Sequence, residues 1–277
     1  MAAPPHWAIA THKGGTGKSK LIELIAAAAA EKGDNVLVVD MDAQANVTRR
    51  LRAQLPEDPR ERKGASLAAI LQRPSKGEVE RILVKSGWGG IYTERITIAP
   101  AHLDLELLAL TASQAASSRR LLTALAGVVD DFDLVVIDTP PNLLSHLIDN
   151  AWTAADLLWV PVEPEYDAVE AAKRVQQRVQ EDRDVLNPDL QVGGFVINRF
   201  RSSLNLHNKR AEEVGTIIGP DAVCPVRFPE LVVLKNGSEY AQPMSELGSE
   251  GRAMAALGAD AYAWMRKRSD MLMGGAA

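Results

Sequence analysis

Apolar residues fall along this chain in short continuous runs, separated by longer stretches where they recur every three or four positions. The runs are Trp7-Ala8-Ile9-Ala10, Val36-Leu37-Val38-Val39, Arg95–Pro100, Leu134–Ile137, Leu157–Val160 and Gly193–Asn198. Short aliphatic, β-branched segments bounded by turn formers predict strands buried on both faces. Between them, Leu21–Lys32, Leu121–Val129 and Val169–Leu186 carry helical spacing, the first Ala-rich and the last amphipathic. Strand alternating with helix predicts an α/β fold: a doubly wound, mostly parallel sheet flanked by helices. Two stretches fit the alternation less well. Residues 46–85 are helix-prone, rich in Arg and Lys, and broken by Pro56, Pro59 and Pro74, which predicts an insertion of short helices at one edge. The tail, about 246–273, predicts one helix. With no internal repeat, residues 1–277 are expected to form a single domain.

Composition narrows the function classes. At 46% hydrophobic and 24% charged the chain can bury a sizeable core, and with aromatics at 5% that core is aliphatic. The net charge of −5 argues against a protein that coats nucleic acid over its whole surface, while leaving room for a local basic patch. One cysteine, Cys224, makes neither an internal disulfide nor a Cys-rich metal or iron–sulfur site, and is expected to be a buried small residue. No basic segment followed by an apolar run opens the chain, and the Ala-rich stretch 25–30 is far short of a membrane span, so a cytoplasmic location is expected.

The strongest chemical signal is Lys13-Gly14-Gly15-Thr16-Gly17-Lys18-Ser19, between a predicted strand and a predicted helix. Glycines let the backbone turn so that successive N–H groups point at phosphate oxygens, and the positive end of the following helix adds to that field. Lys18 then neutralises the β- and γ-phosphates and the Ser19 hydroxyl ligates Mg²⁺. The plain pattern wants Gly where His12 stands, so this is a variant loop with a second lysine, Lys13. A Gly-rich surface turn is the bland alternative, and the flanking strand and helix argue against it. Asp138 ends a buried strand, where open α/β sheets place their ligands, and a carboxylate there can hold a water of the Mg²⁺ shell. Asp40 and Asp42 end a second strand. Singly each acid reads as a cap or a solvated turn; three beside one phosphate loop read as a site.

These segments resemble the ParA/MinD family of P-loop ATPases with a deviant Walker A loop, and more closely its ParA partition branch. The residues that carry the resemblance are KGGTGKS at Lys13–Ser19, VLVVDMDAQANVT at Val36–Thr48 and DLVVIDTPP at Asp133–Pro141, with ADLLWVPVEPE at Ala155–Glu165, GFVINRF at Gly194–Phe200 and the stretch 226–243. The resemblance implies ATP and Mg²⁺ as cofactors, slow hydrolysis, and a homodimer that forms on ATP binding. It implies that Lys13 reaches across the dimer to the partner's phosphates, that Lys18 and Ser19 hold phosphate and Mg²⁺, and that Asp42 orients the attacking water. Asp40 is Asp42's neighbour near the metal, and Asp138 the Mg²⁺-shell carboxylate. Asn198 is implied to read adenine, an amide being able to donate and accept at once; a turn residue after a strand is its bland alternative. Gly14, Gly15, Thr16, Gly17, Lys20 and Pro229 complete the implied nucleotide contacts. Three departures stand out: Lys20 where threonine is usual, Ala43 where proline is usual, and Glu230 where an arginine associated with DNA binding is frequent.

The function this implies is a DNA-partition ATPase, nucleoid-associated in the cytoplasm, whose ATP dimer binds nonspecific DNA and is stimulated by a ParB-like centromere-binding partner. Arg199, Arg201, Lys209 and Arg210, a basic cluster without intervening acids in the sequence, are its candidate DNA contacts, and Arg49, Arg50 and Arg52 form another; a solvated charged face competes with both. A MinD-like membrane-positioning ATPase is the alternative, disfavoured because Met271, Leu272 and Met273 are the only bulky apolar residues beyond Arg266-Lys267-Arg268 in the tail. A deviant P-loop ATPase acting on another protein or small-molecule cargo is a third.

Overall fold

The computed structural model describes residues 3–11, 13–110, 117–230 and 241–274. Among them eight strands form one sheet: β1 (His6–Ile9), β2 (Val36–Asp40), β3 (Val84–Lys85), β4 (Ile96–Ala99), β5 (Leu134–Asp138), β6 (Leu157–Val162), β7 (Gln191–Phe200) and β8 (Val223–Pro229). Their order is β3-β4-β2-β5-β1-β6-β7-β8, parallel throughout except for the antiparallel edge pair β3–β4. Six strands lie where the apolar runs predict them. β3 and β8 do not appear in that pattern: β3 is two residues long, and β8 contains Pro225 and Pro229, which a sheet tolerates at its edge.

Period-two alternation sends neighbouring residues of each strand into opposite layers. Ala8, Leu37, Val39, Val135, Ile137 and Leu158 join one core, whereas Trp7, Ile9, Val36, Val38, Leu134 and Trp159 join the other. The second core is closed by α1 (Lys18–Lys32) and the last helix, Gly248–Gly274, whose Met254, Ala261 and Met265 are buried. Full burial of such aliphatic side chains stabilises the fold by about 1.5–3 kcal/mol each. The predicted 121–129 helix is shorter, Arg120–Leu125, because Gly127 breaks it before a 3-10 turn at Val129–Asp131. The 46–85 stretch holds short helices at Asn46–Arg50, Pro59–Gly64 and Leu67–Ile70 and runs on into β3. No described helix is long and apolar enough to cross a membrane.

This strand order positions the chemistry. β2, β5 and β1 are neighbours, and their register sets Ile9 beside Asp138 and Asp138 beside Asp40 at the carboxyl edge. The chain leaves β1 toward one side of the sheet and returns to the other through β6, so a crevice opens at that edge.

Candidate nucleotide site

The loop between β1 and α1 turns on Gly15 and Gly17, with φ of 85° and 82°. Gly17 is the N-cap of α1 and supplies no side-chain cap, so the amides of the first helical turn remain available to a ligand. A Cβ on Gly17 would overlap the amide of Asn198, which donates to Thr16 O at 2.8 Å and fastens the end of β7 to the loop. The Thr16 hydroxyl is buried with no hydrogen-bond partner among the described residues, and Thr16 is one of the residues around the cleft above the loop, whose volume is about 290 Å³. Lys13, Lys18, Lys20, Asp42 and Arg50 share that cleft.

Lys18 and Asp138 form a buried ion pair, Lys18 Nζ lies 4.0 Å from Asp42 Oδ2, and Ser19 Oγ donates to Asp138 Oδ2 at 3.4 Å. Burial pushes the Asp138 carboxyl up, against the pull of Lys18. Asp40 lies behind this group with both oxygens engaged: Oδ2 accepts from the Thr48 amide and hydroxyl, each at 2.8 Å, and Oδ1 accepts from the Asp42 amide at 3.2 Å. Burial, reinforced by the neighbouring Asp138 charge, pushes the Asp40 carboxyl up to about 7. Asp42 in turn accepts the Gln44 amide at 3.0 Å. A hydroxyl and carboxylates around a phosphate loop are the donor set Mg²⁺ uses with nucleotides, since it keeps several waters and takes few protein ligands. Among the described residues there is no group of three or more His, Cys, Asp or Glu that could hold a metal ion.

Lys13 points away from the loop, to Glu165 Oε2 at 3.1 Å and Asp167 Oδ2 at 3.9 Å, and these acids hold its ammonium above its ordinary range. Lys20 donates to Glu23 Oε1 at 2.8 Å and lies 2.7 Å from Oε2, while Arg50 approaches the same oxygen at 3.5 Å. Burial lowers the Lys20 ammonium and raises the Glu23 carboxyl, each opposed by the other.

The basic cluster has a different setting in space from the one its sequence suggests. Arg199 pairs with Glu163 and, at 2.6 Å, with Glu230, and Arg201 donates through Nε to Glu230 at 2.5 Å. Arg199 holds φ of 54°, a left-handed conformation that destabilises a non-Gly residue by roughly 1–2 kcal/mol, and its two acids anchor it there. These guanidinium groups hold the Glu230 carboxyl below its ordinary range. Arg210 pairs with Glu213, whereas Lys209 is exposed with no ion pair among the described residues. Pro229 ends β8 beside these groups, and the remainder of the 226–243 stretch, from 231 to 240, lies outside the described residues. In the last helix Arg266 donates to Asp133 O at 2.9 Å and Arg268 to Asp221 O at 2.7 Å, so two of the three basic tail residues are bonded to the protein's own loops.

Glu163, Glu165 and Thr48 fall inside the segments that carry the resemblance but received no role there, and Glu23 lies outside those segments. For Glu163 and Glu165 the signal was present, since both follow β6 at the same carboxyl edge that singles out Asp138. Thr48 is recognisable only through the fold that brings it to Asp40.

Comparison with known proteins adds four findings. The family model described as an AAA domain matches residues 6–192. The chromosome partitioning protein ParA of Caulobacter vibrioides is 29% identical over 240 residues, covering 86% of this chain and 85% of its own. A crystal structure of cobyrinic acid a,c-diamide synthase from Mycobacterium smegmatis with bound ADP and magnesium is 29% identical, with a TM-score of 0.66 over 77% of this chain and 81% of that one. In fold alone, an ATP complex of a Cyanothece McdA variant superposes with a TM-score of 0.79 over 97% of both chains at 17% identity.

Proposed function

We propose a function on one premise: the chain belongs to the AAA domain family and to the ParA/MinD group of P-loop ATPases. The cleft takes ATP with Mg²⁺ and hydrolyses it slowly to ADP and phosphate, in the service of DNA partition. The convergence of Lys18, Ser19 and Asp138 on the open first turn of α1 carries this reading. Phosphoryl transfer needs positioning and charge stabilisation more than covalent chemistry, and the site is built for both. The amides of residues 14–19 and Lys18 bind the phosphates; Ser19, and Asp138 through water, would hold Mg²⁺, with Asp40 fixing Asp42 from behind. Mg²⁺, when bound, neutralises charge on the transferred phosphoryl group. Asp42 orients the attacking water, Asn198 reads adenine, and Pro229 closes that end.

Lys13 serves the second copy. It projects out of its own loop toward Glu165, so ATP would favour a dimer in which it reaches the partner's phosphates, and hydrolysis would release it. The ATP dimer then binds nonspecific DNA through Arg199, Arg201, Lys209 and Arg210, and a ParB-like partner stimulates turnover. The test is ATP turnover and sedimentation with and without random duplex DNA. ATP-dependent dimerisation with salt-sensitive DNA binding supports the proposal, and turnover by a monomer indifferent to DNA sinks the partition role. A second reading, an ATPase acting on a small molecule, draws on the likeness to the M. smegmatis synthase; it expects that indifference.

A further inference from the structure

The side chain of Arg199 reaches the phosphate loop from the end of β7. The parallel register pairs Val162 of β6 with Ile197 of β7, and Phe200 of β7 with Pro229 of β8, so Glu163, Arg199 and Glu230 meet at the carboxyl edge. Arg199 Nη1 pairs with Glu163, which is 9% exposed, and donates to Gly15 O at 3.4 Å. Its Nη2 donates to Glu230 at 2.6 Å. One residue earlier, Asn198 Nδ2 donates to Thr16 O at 2.8 Å. The Arg199 amide donates to Asn198 Oδ1 at 3.0 Å, which fixes that side chain in the orientation it needs. Two consecutive residues of β7 thus hold two consecutive carbonyls of the loop. In a trans peptide the C=O and the N–H of the next residue point in opposite directions. Holding the carbonyls of Gly15 and Thr16 toward β7 therefore turns the amides of Thr16 and Gly17 away from it. A surface ion pair alone has no need of a backbone at φ 54°, whereas residues held in such sparsely populated conformations cluster at functional sites.

We infer that Arg199 is a positioning residue for nucleotide: with Asn198 it clasps the phosphate loop so that the amides of Thr16 and Gly17 are presented to phosphate. Glu163 and Glu230 orient the guanidinium for that contact. The role is separate from contact with DNA, because it acts within one chain and without DNA. Loop amides meet phosphates that ATP and ADP have in common, so the clasp serves both nucleotides alike. The inference rests on the proposed nucleotide site.

The experiment is isothermal titration of the full chain with ATP and with ADP, each with Mg²⁺ and without DNA, with melting temperature and steady-state turnover recorded alongside. Wild type is compared with Arg199→Gly and with the double variant Arg199→Gly, Glu163→Gln. Glycine relieves the left-handed backbone as it removes the guanidinium, and glutamine removes the charge that Glu163 would otherwise keep unpaired. Whichever variant folds carries the comparison. It should melt no lower than wild type, yet bind ATP and ADP each about tenfold more weakly, as expected for one lost charge-assisted hydrogen bond. KM for ATP should rise by the same factor with kcat held, the mark of binding lost equally from ground and transition states. Wild type that binds neither nucleotide defeats the nucleotide site itself. Wild type that binds both, beside a folded variant whose two affinities are unchanged or that loses ATP alone, overturns the clasp and leaves the site standing.

Discussion

Lys18 Nζ donates to Asp138 Oδ1 across a sequence separation of 120 residues, so the lysine we propose for phosphate is held by the carboxylate we propose for the metal shell. The pair is buried, with side-chain exposures of 7% and 0%, so water compensates neither charge and each depends on the other. On the proposed function, an arriving phosphate would replace the carboxylate as the lysine's partner and leave Asp138 able to hold a water of the Mg²⁺ shell. Removing one member exposes that dependence: Lys18→Met should abolish ATP binding and destabilise the protein by about 3–5 kcal/mol. Adding Asp138→Asn should restore much of the stability and none of the binding. Urea denaturation beside calorimetric titration reads both, and a Lys18→Met variant as stable as wild type would show that the pair carries no such load.

Gly17→Ala should stall the loop by geometry alone. Its φ of 82° strains any side chain, and the new methyl would overlap Asn198. Holding a non-Gly residue there destabilises by about 1–3 kcal/mol, and Asn198 must release Thr16 O to make room. Nucleotide affinity should fall at least tenfold. Unchanged affinity in Gly17→Ala would mean the loop binds in another conformation.

Glu230 engages two of the four candidate DNA contacts. Glu230→Ala should release Arg201, leave Arg199 held by Glu163, and strengthen binding to random duplex in the ATP state. The log–log salt slope should steepen by about 0.9 for each additional DNA phosphate neutralised. Lys209→Ala should do the reverse by about one such increment. Fluorescence anisotropy from low to high salt measures both, and an unchanged slope in Glu230→Ala would remove Arg201 from the interface.

Cys224 gives a pH dependence with a defined sign. Burial raises its thiol from 9.0 to about 11, so the folded state keeps a proton that the unfolded chain loses first. The stabilisation is fully present below pH 9 and is lost as pH rises through 9 toward 11. Tyr92, pushed up to about 12 by burial, acts in the same direction, so the comparison must be with Cys224→Ala. Between pH 8 and 10.5 wild type should lose about 2 kcal/mol more than the variant in chemical denaturation. Equal losses would mean the thiol ionises freely in the folded state.

Much of this was legible in the chain, for identifiable reasons. Six strands announce themselves because a sheet covered on both faces needs unbroken aliphatic runs, and the phosphate loop announces itself because its glycines and lysines are contiguous. β8 stayed hidden because an edge strand accepts Pro225 and Pro229, and β3 because two residues have no period. At the site, Asp40 reads as a metal-side acid, yet its oxygens are engaged by Thr48 and the Asp42 amide. Arg199 and Arg201 read as an unopposed basic cluster because Glu163 and Glu230 meet them only through the adjacency of β6, β7 and β8. Side-chain pairing between strand ends is a property of sheet order, which periodicity does not encode.

Calorimetric titration of Mg·ATP into the full chain, with Lys18→Ala alongside, tests the central claim most directly. The expected result is saturable binding of one nucleotide per chain that disappears in the variant. No binding to wild type, or binding that survives unchanged in Lys18→Ala, would contradict it.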